Sequence, residues 1–209
     1  MSRGLWITFE GGDGSGKTTQ AELLRAALEG AGHSVVRTRE PGGTEVGQRI
    51  RDIVLHSRGS LTPRAEALLF AADRSHHVET LVEPALARGE TVIQDRYLDS
   101  SVAYQGAARS LGADEVRELS LWATGGALPD VTVLLDIDPR IARARLDAAD
   151  KPFDRMEAEK AEFHARVRDA FLALAAAEPG RFLVVDATLP VDEIAGEILA
   201  RVSSVGGRL

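Results

Sequence analysis

The chain has 209 residues, 44% of them apolar and 27% charged, with a formal net charge of −7. These values suit one ordinary α/β domain, or one domain with a small lid, and they exclude non-specific nucleic-acid or membrane binding through bulk charge. There is no Cys, which excludes disulfides and thiolate metal sites.

The apolar run in "MSRGLWITFEGG" is too short for a signal peptide, and no window reaches the length of a membrane span, so the expected location is cytoplasmic. The predicted elements then alternate. A β-branched run at 5–10 reads as a strand ending at a glycine loop, and 17–32 as a helix closed by glycines. Residues 33–40 read as a strand running into the turn "PGGT", and "TEVGQRIRDIVLHS" as a short helix. A long helix follows, with Thr62 as N-cap, Pro63 at its first position, and Pro84 bending or splitting it. Strands at 90–95 and 131–138 flank two helices, near 98–107 and 113–123. Asp138-Pro139 looks like a helix start, whereas "DAADKPFDR" (147–155) is charged, has no helical stripe and reads as a loop. A helix with Phe163, Val167, Phe171 and Leu174 on one face, a strand at 181–187 and a helix from Pro190 complete the chain. Alternation of this kind implies a mostly parallel sheet with helices on both faces and the loop ends of its strands on one rim. The expected organisation is a single domain over 1–209, with a lid at about 143–156.

Gly11-x4-Gly16-Lys17-Thr18 matches G-x-x-x-x-G-K-[ST] and sits between a predicted strand and a predicted helix. Glycines at 11, 12, 14 and 16 let backbone N–H groups turn inward around an anion. The loop Gly11, Gly12, Asp13, Gly14, Ser15, Gly16, Lys17, Thr18 and Thr19 is therefore expected to hold a nucleotide's phosphates. Lys17 would reach the β- and γ-phosphates, and the Thr18 hydroxyl would bind Mg²⁺. Two predicted strands end in an acid, Asp95 and Asp136. Asp95 has Arg96 beside it, as suits a place where metal and phosphate meet, and is preferred as the metal residue; its other reading is a cap on the next helix.

The chain contains no Asn, so it lacks the Asn-Lys-x-Asp element by which a GTP switch reads guanine. Motors and transporter engines usually need more chain and further signature segments. A compact kinase remains, and it needs an acceptor site and cations over the reacting phosphates. Ala65, Leu68, Leu69 and Ala72 form an apolar helical stripe, with Phe70 and Arg74 four apart on the other side. Phe70 could stack on a base while Arg74 meets its edge, or Phe70 could be core. Arg96 could clamp an acceptor phosphate or form a structural ion pair. Ser100, Ser101, Tyr104 and Gln105 could read a sugar or base edge, or form a solvated polar face. Arg143, Arg145, Lys151 and Arg155 could form a basic lid, or a solvated loop whose cations are diluted by Asp147, Asp150 and Asp154.

Six segments, in this order, resemble the thymidylate kinase family over nearly the whole chain: "FEGGDGSGKTTQ", "TREPGGTEVGQRIR", "LLFAADRSHH", "DRYLDSSVAYQG", "LPDVTVLLDIDP" and "DRMEAEKAEFHARVR". The resemblance implies a P-loop NTPase fold with a five-stranded parallel sheet, ATP-dependent phosphorylation of dTMP to dTDP, and a homodimer. It implies that Phe70 stacks on thymine, that Arg74 hydrogen-bonds the base and that Arg96 binds the acceptor phosphate. It places Asp13 near the deoxyribose 3′-OH and the metal, and Glu40 and Pro41 along the acceptor phosphate. Ser101, Tyr104 and Gln105 fall where the family reads thymine and the absence of a 2′-OH. Some relatives carry an Arg where this chain has Gly14; the chain resembles the bacterial group that lacks it, so Arg145, Lys151 or Arg155 is expected to supply that charge from the lid. The other readings are a different nucleoside monophosphate kinase of the same fold, or a nucleotide-binding switch.

Overall fold

The computed structural model describes residues 3–56, 61–109, 111–148 and 154–206. In chain order these form β1 (Trp6–Glu10), α1 (Lys17–Gly30), β2 (Val35–Arg39), α2 (Glu45–His56), α3 (Pro63–His77), α4 (Glu83–Ala87) and β3 (Thr91–Asp95). There follow α5 (Leu98–Ser101), α6 (Ala113–Ala123), β4 (Val131–Asp136), α7 (Pro139–Ala148), α8 (Ala161–Ala177), β5 (Phe182–Asp186) and α9 (Val191–Gly206). The five strands make one parallel sheet in the order β2-β3-β1-β4-β5. No described helix is long and apolar enough to cross a membrane.

Period-2 alternation divides the buried strands between two layers. Ile7 and Phe9 of β1 and Val131, Val133 and Leu135 of β4 share a core with Ala21, Leu24 and Leu28 of α1 and Ile194, Ile198 and Val202 of α9. Trp6 packs with Tyr97 and Leu98, and Leu134 with Phe163, Val167 and Phe171 of α8, in separate clusters. β1 is buried along its whole length while β2 and β5 are partly exposed, as befits centre and edges. Phe9 is in register with Asp95, and Glu10 with Leu134, so the carboxyl ends of the three central strands meet on one rim. The chain leaves β1 for the far side of β3 and later crosses to β4 on the other side. That reversal opens a crevice at the rim where ligands bind in open parallel sheets.

The structure corrects several local expectations. The helix before β3 continues through a π-helical segment, Val78–Val82, into α4. The wider turn, with Glu83 N–H bonded to Val78 O, accommodates Pro84, which has no N–H and would crowd an ordinary turn. The helix expected near 98–107 is one α-turn, α5, followed by a π-helical segment, Val102–Ala108. α7 runs to Ala148, two residues into the expected loop. On α3 the apolar stripe is not the buried face: Leu68 is 52% exposed and Ala72 is exposed, while Glu66, Ala67, Ala71, Asp73, Arg74 and His77 are buried. Polar partners waiting inside decide which side of α3 turns in. Thr62 caps this helix as expected, its Oγ1 accepting from Ala65 N–H at 3.4 Å.

Candidate active site

The turn after β1 leaves the sheet at Gly11 (φ 129°) and passes Gly14 (φ 79°). A Cβ at Gly14 would lie 2.6 Å from the Ala142 carbonyl and 3.2 Å from Leu146 Cγ, so α7 rests directly on the loop. α1 then begins at Lys17, its first N–H groups facing the loop. Lys17 is buried, and its Nζ donates to the carbonyls of Gly11 (3.0 Å) and Gly12 (2.8 Å). Burial and the Arg96 guanidinium lower its ammonium from the ordinary value, against the pull of Asp13, Asp95 and Glu10. This is a cation short of negative charge.

A cleft of about 530 Å³ opens from this loop. Asp13, Gly14, Gly16, Lys17 and Thr18 line one end. Glu40, Pro41, Phe70, Arg74, Ser101, Tyr104 and Gln105 line the remainder, with Asp95 and Arg96 also on its wall. Gly11 and Gly12 instead face a cavity of about 50 Å³ under α7, Ser15 is buried, and Thr19 is exposed outside the cleft. Phe70 is half-buried: it packs on the core that contains Tyr104 and Phe163 and also lines the cleft. Ser101, Tyr104 and Gln105 are buried, which overturns the reading of that stretch as a solvated face. The π-helical winding after Ser101 is what carries Tyr104 and Gln105 to the wall.

Arg96 is the one non-glycine residue with positive φ (66°) among the described residues, a conformation costing on the order of 1–3 kcal/mol. Its guanidinium donates to Gly11 O at 3.0 Å, Ser100 Oγ at 3.2 Å and Asp13 at 2.5 Å, and lies 5.2 Å from the Tyr104 ring centroid. Burial alone would raise the Asp13 carboxyl; the Arg96 and Lys17 cations outweigh it and hold it below the ordinary carboxylate range. Arg74 is 1% exposed. Its Nε donates to Glu40 (2.9 Å), Nη1 to Ser120 Oγ (3.1 Å), and Nη2 to Ser101 Oγ (3.0 Å) and Tyr97 O (3.3 Å). Glu40 also accepts from His77 Nδ1 (2.9 Å) and Gln94 Nε2 (3.0 Å), so its carboxylate is spent on holding Arg74 rather than offered to the cleft.

The two candidate metal acids separate cleanly. Asp136 is held bidentately by Arg168, at 2.7 and 2.8 Å, and faces the small cavity. Asp95 lines the cleft with Thr18, and its Oδ1 is buried with no hydrogen-bond partner among the described residues. A hydroxyl and an orphaned carboxylate oxygen beside a phosphate loop form a donor set that fits a hard divalent cation.

Of the expected lid cations, Arg145 lines the cleft and donates to Ala187 O at 3.0 Å. Arg155 is not brought there: it donates to Val54 O at 2.8 Å and pairs with buried Glu66. Lys151 lies outside the described residues. Arg39 and Arg51 were not anticipated, although both lie in the quoted "TREPGGTEVGQRIR"; each lines the cleft, and Arg51 Nη1 donates to Pro41 O at 3.0 Å.

Glu10 was also missed. A lone acid at the end of an otherwise apolar strand is the signal that could have found it. It is fully buried and accepts from Tyr97 N–H (2.7 Å) and Ser100 Oγ (2.6 Å), thereby fixing the turn that carries Arg96. Burial first, then Asp99, pushes its carboxyl up to about 7, against Arg96. The folded state thus holds the Glu10 proton more tightly than the unfolded chain. The stabilisation it contributes is full below the ordinary value of 4.5 and is lost as pH rises through about 7. Glu10→Gln should therefore flatten the fall in unfolding free energy between pH 5 and pH 8, by an amount on the order of 3 kcal/mol at most. Parallel urea-denaturation curves for the variant and the parent would disprove this.

The family model described as thymidylate kinase matches residues 9–198. A thymidylate kinase of Clavibacter sepedonicus is 69% identical over 198 residues, covering 95% of this chain and 94% of the relative. One from Leifsonia xyli subsp. xyli is 69% identical with the same coverage, and one from Deinococcus radiodurans is 52% identical over 206 residues, covering 99% of this chain and all of the relative. With the phosphate loop, the Asp95-Arg96 strand end and the Phe70/Arg74 wall gathered on one cleft, and with identity of this order along the whole length, the chain belongs to the thymidylate kinase family.

Proposed function

We propose that the chain transfers the γ-phosphoryl group of ATP to dTMP, giving dTDP and ADP. The observation that carries this reading is the continuity of one cleft from the phosphate loop to a wall made by Phe70, Arg74 and Gln105. ATP phosphates lie along residues 11–18. The thymine lies against Phe70 with Arg74 at its edge, and the acceptor phosphate lies between Arg96 and the turn at Pro41. Arg51 and Arg39 add positive charge on that side.

The nucleophile is a phosphate oxygen. A phosphate monoester has its second pKa at about 6 and is mostly dianionic at neutral pH, so no general base is needed. What the protein supplies is alignment and charge. Lys17 leaves the Gly11 and Gly12 carbonyls for the β- and γ-phosphates, and Arg96 shares its fork between Asp13 and the acceptor. Arg145, near the end of α7 and on the cleft wall, would replace the charge that Gly14 does not carry; its support is that it lines the cleft while α7 packs on Gly14. Thr18 and Asp95 would hold Mg²⁺, which when bound neutralises charge on the β- and γ-oxygens.

The same reading includes a homodimer. Its support is the apolar surface left bare on two packed helices: Leu68 on α3 is 52% exposed, and Trp122 on α6 is 83% exposed.

ADP release from ATP, measured with dTMP, dUMP, CMP, AMP or GMP as acceptor, tests the proposal. Turnover should depend on acceptor and be fastest with dTMP. No dTMP-dependent ADP would overturn it, and nucleotide binding without acceptor-stimulated turnover would favour a switch.

A further inference from the structure

Glu66 has no place in the reaction as drawn above, yet it is one of the most heavily partnered groups beside the cleft. It sits in the first turn of α3 and is 1% exposed. Its Oε1 accepts from Gln105 Nε2 at 2.8 Å and from Arg109 Nε at 3.3 Å, and its Oε2 accepts from Arg155. Both arginines are themselves anchored. Arg109 pairs with Glu159 at 2.6 Å and lies 5.0 Å from the Phe163 ring centroid, and Arg155 is tied to Val54 O. With two guanidiniums and an amide directed at it, both oxygens of this carboxylate act as acceptors.

That fixes the neighbouring amide. An amide has a donating end and an accepting end, and only the donating end can meet a carboxylate. Gln105 Nε2 is therefore directed at Glu66, and Oε1 becomes the end available to the cleft that Gln105 lines. The bond to Glu66 is the hydrogen bond that the Gln105 side chain makes to described residues, and Gln105 Oε1 is not among the fully buried orphaned atoms. We infer that Glu66 is a positioning residue for base choice: by locking the Gln105 amide it presents a carbonyl, and not an NH₂ group, to the bound base.

The chemical consequence is specific. Thymine and uracil offer an imide N–H on the edge between their two carbonyls; cytosine offers a lone pair at the same ring position. A fixed acceptor pairs with the first and repels the second, and in a buried site the group left unpaired is costly. Arg155 becomes a strut for this arrangement, which gives the arginine absent from the cleft wall a role at the base end.

The inference rests on the proposed acceptor, and the experiment separates the two. Steady-state kinetics of the full chain with dTMP and dCMP would compare the parent with Glu66→Gln, Gln105→Leu and the double variant. An amide at position 66 can donate as well as accept, so Gln105 is free to turn over. Glu66→Gln should lower the ratio of kcat/KM for dTMP to that for dCMP by roughly 10- to 100-fold, mostly through KM for dTMP, with KM for ATP unchanged. In the Gln105→Leu background the same change should leave the ratio unmoved. Equal losses on both acceptors, or a fall undiminished in that background, would show Glu66 to be structural only. A variant-free measurement covers the case in which Glu66→Gln does not fold or the parent does not turn over dTMP. In isotope-labelled parent protein the Gln105 side-chain NH₂ protons should exchange slowly with solvent both with and without dTMP. Fast exchange that slows only when dTMP is added would overturn the inference, whereas absence of dTMP turnover with slow exchange would count against the acceptor alone.

Discussion

Lys17→Ala should lower kcat by about 10²–10³-fold or more while leaving dTMP affinity within a few-fold of the parent. The ammonium is buried at the mouth of α1 and, among the described residues, bonded only to two loop carbonyls. Its burial and the nearby Arg96 already disfavour the charge, so a triphosphate bound at the loop would stabilise it. An interaction strengthened as negative charge shifts during transfer acts on kcat, and removing it is not repaired by more substrate. Saturation kinetics and dTMP titration calorimetry on the same preparation would show the split. A kcat within threefold of the parent would mean that Lys17 serves the loop's shape and not the reaction.

Arg74→Met should cost about 3–5 kcal/mol of unfolding free energy, the largest stability loss expected from a single change at this site. The guanidinium is enclosed and spends four hydrogen bonds on Glu40, Ser120, Ser101 and the Tyr97 carbonyl. Removing it leaves Glu40 as a buried carboxylate whose remaining partners among the described residues are His77 and Gln94, and leaves Ser101 without its Arg74 donor on the cleft wall. Breaking one side of a buried pair costs far more than the pair itself is worth, because the remaining charge keeps its desolvation penalty. A surface control makes the comparison sharp: Arg25 bridges Glu22 and Glu29 on the outer face of α1, and Arg25→Ala should cost far less than Arg74→Met. Urea denaturation of both variants decides the matter. Comparable losses would mean that the Arg74 network is not the keystone of this wall.

The parts of the molecule legible in the sequence are those encoded by local pattern. β1, the glycine loop and the start of α1 at Lys17 are contiguous, so their chemistry could be read without knowing the fold. The same holds for Thr62, which caps α3 through its own helix, and for Asp95-Arg96 at a strand end. What escaped depends on partners distant in sequence. The apolar stripe of α3 does not mark its buried face, because Glu66, Arg74 and His77 are drawn inward by Gln105, Ser101 and Glu40, 27–39 residues away in the chain, and apolar periodicity carries no record of them. The π-helical stretch Val102–Ala108 was read as ordinary helix because no residue type announces that winding; it becomes visible only in which side chains are buried. Arg155 was read by its place beside a basic loop, yet pairing with Glu66 takes it elsewhere. The left-handed turn at Arg96, with no glycine to signal it, is held from below by Glu10, the acid that ends the first predicted strand.

The most direct test of the central claim follows the phosphorus. In a single turnover with ATP labelled at the γ-phosphoryl group and an excess of dTMP, the label should appear in the terminal phosphate of dTDP, with free phosphate remaining at background. Label released as inorganic phosphate at the same rate with and without dTMP, or retained in ATP, would contradict the account.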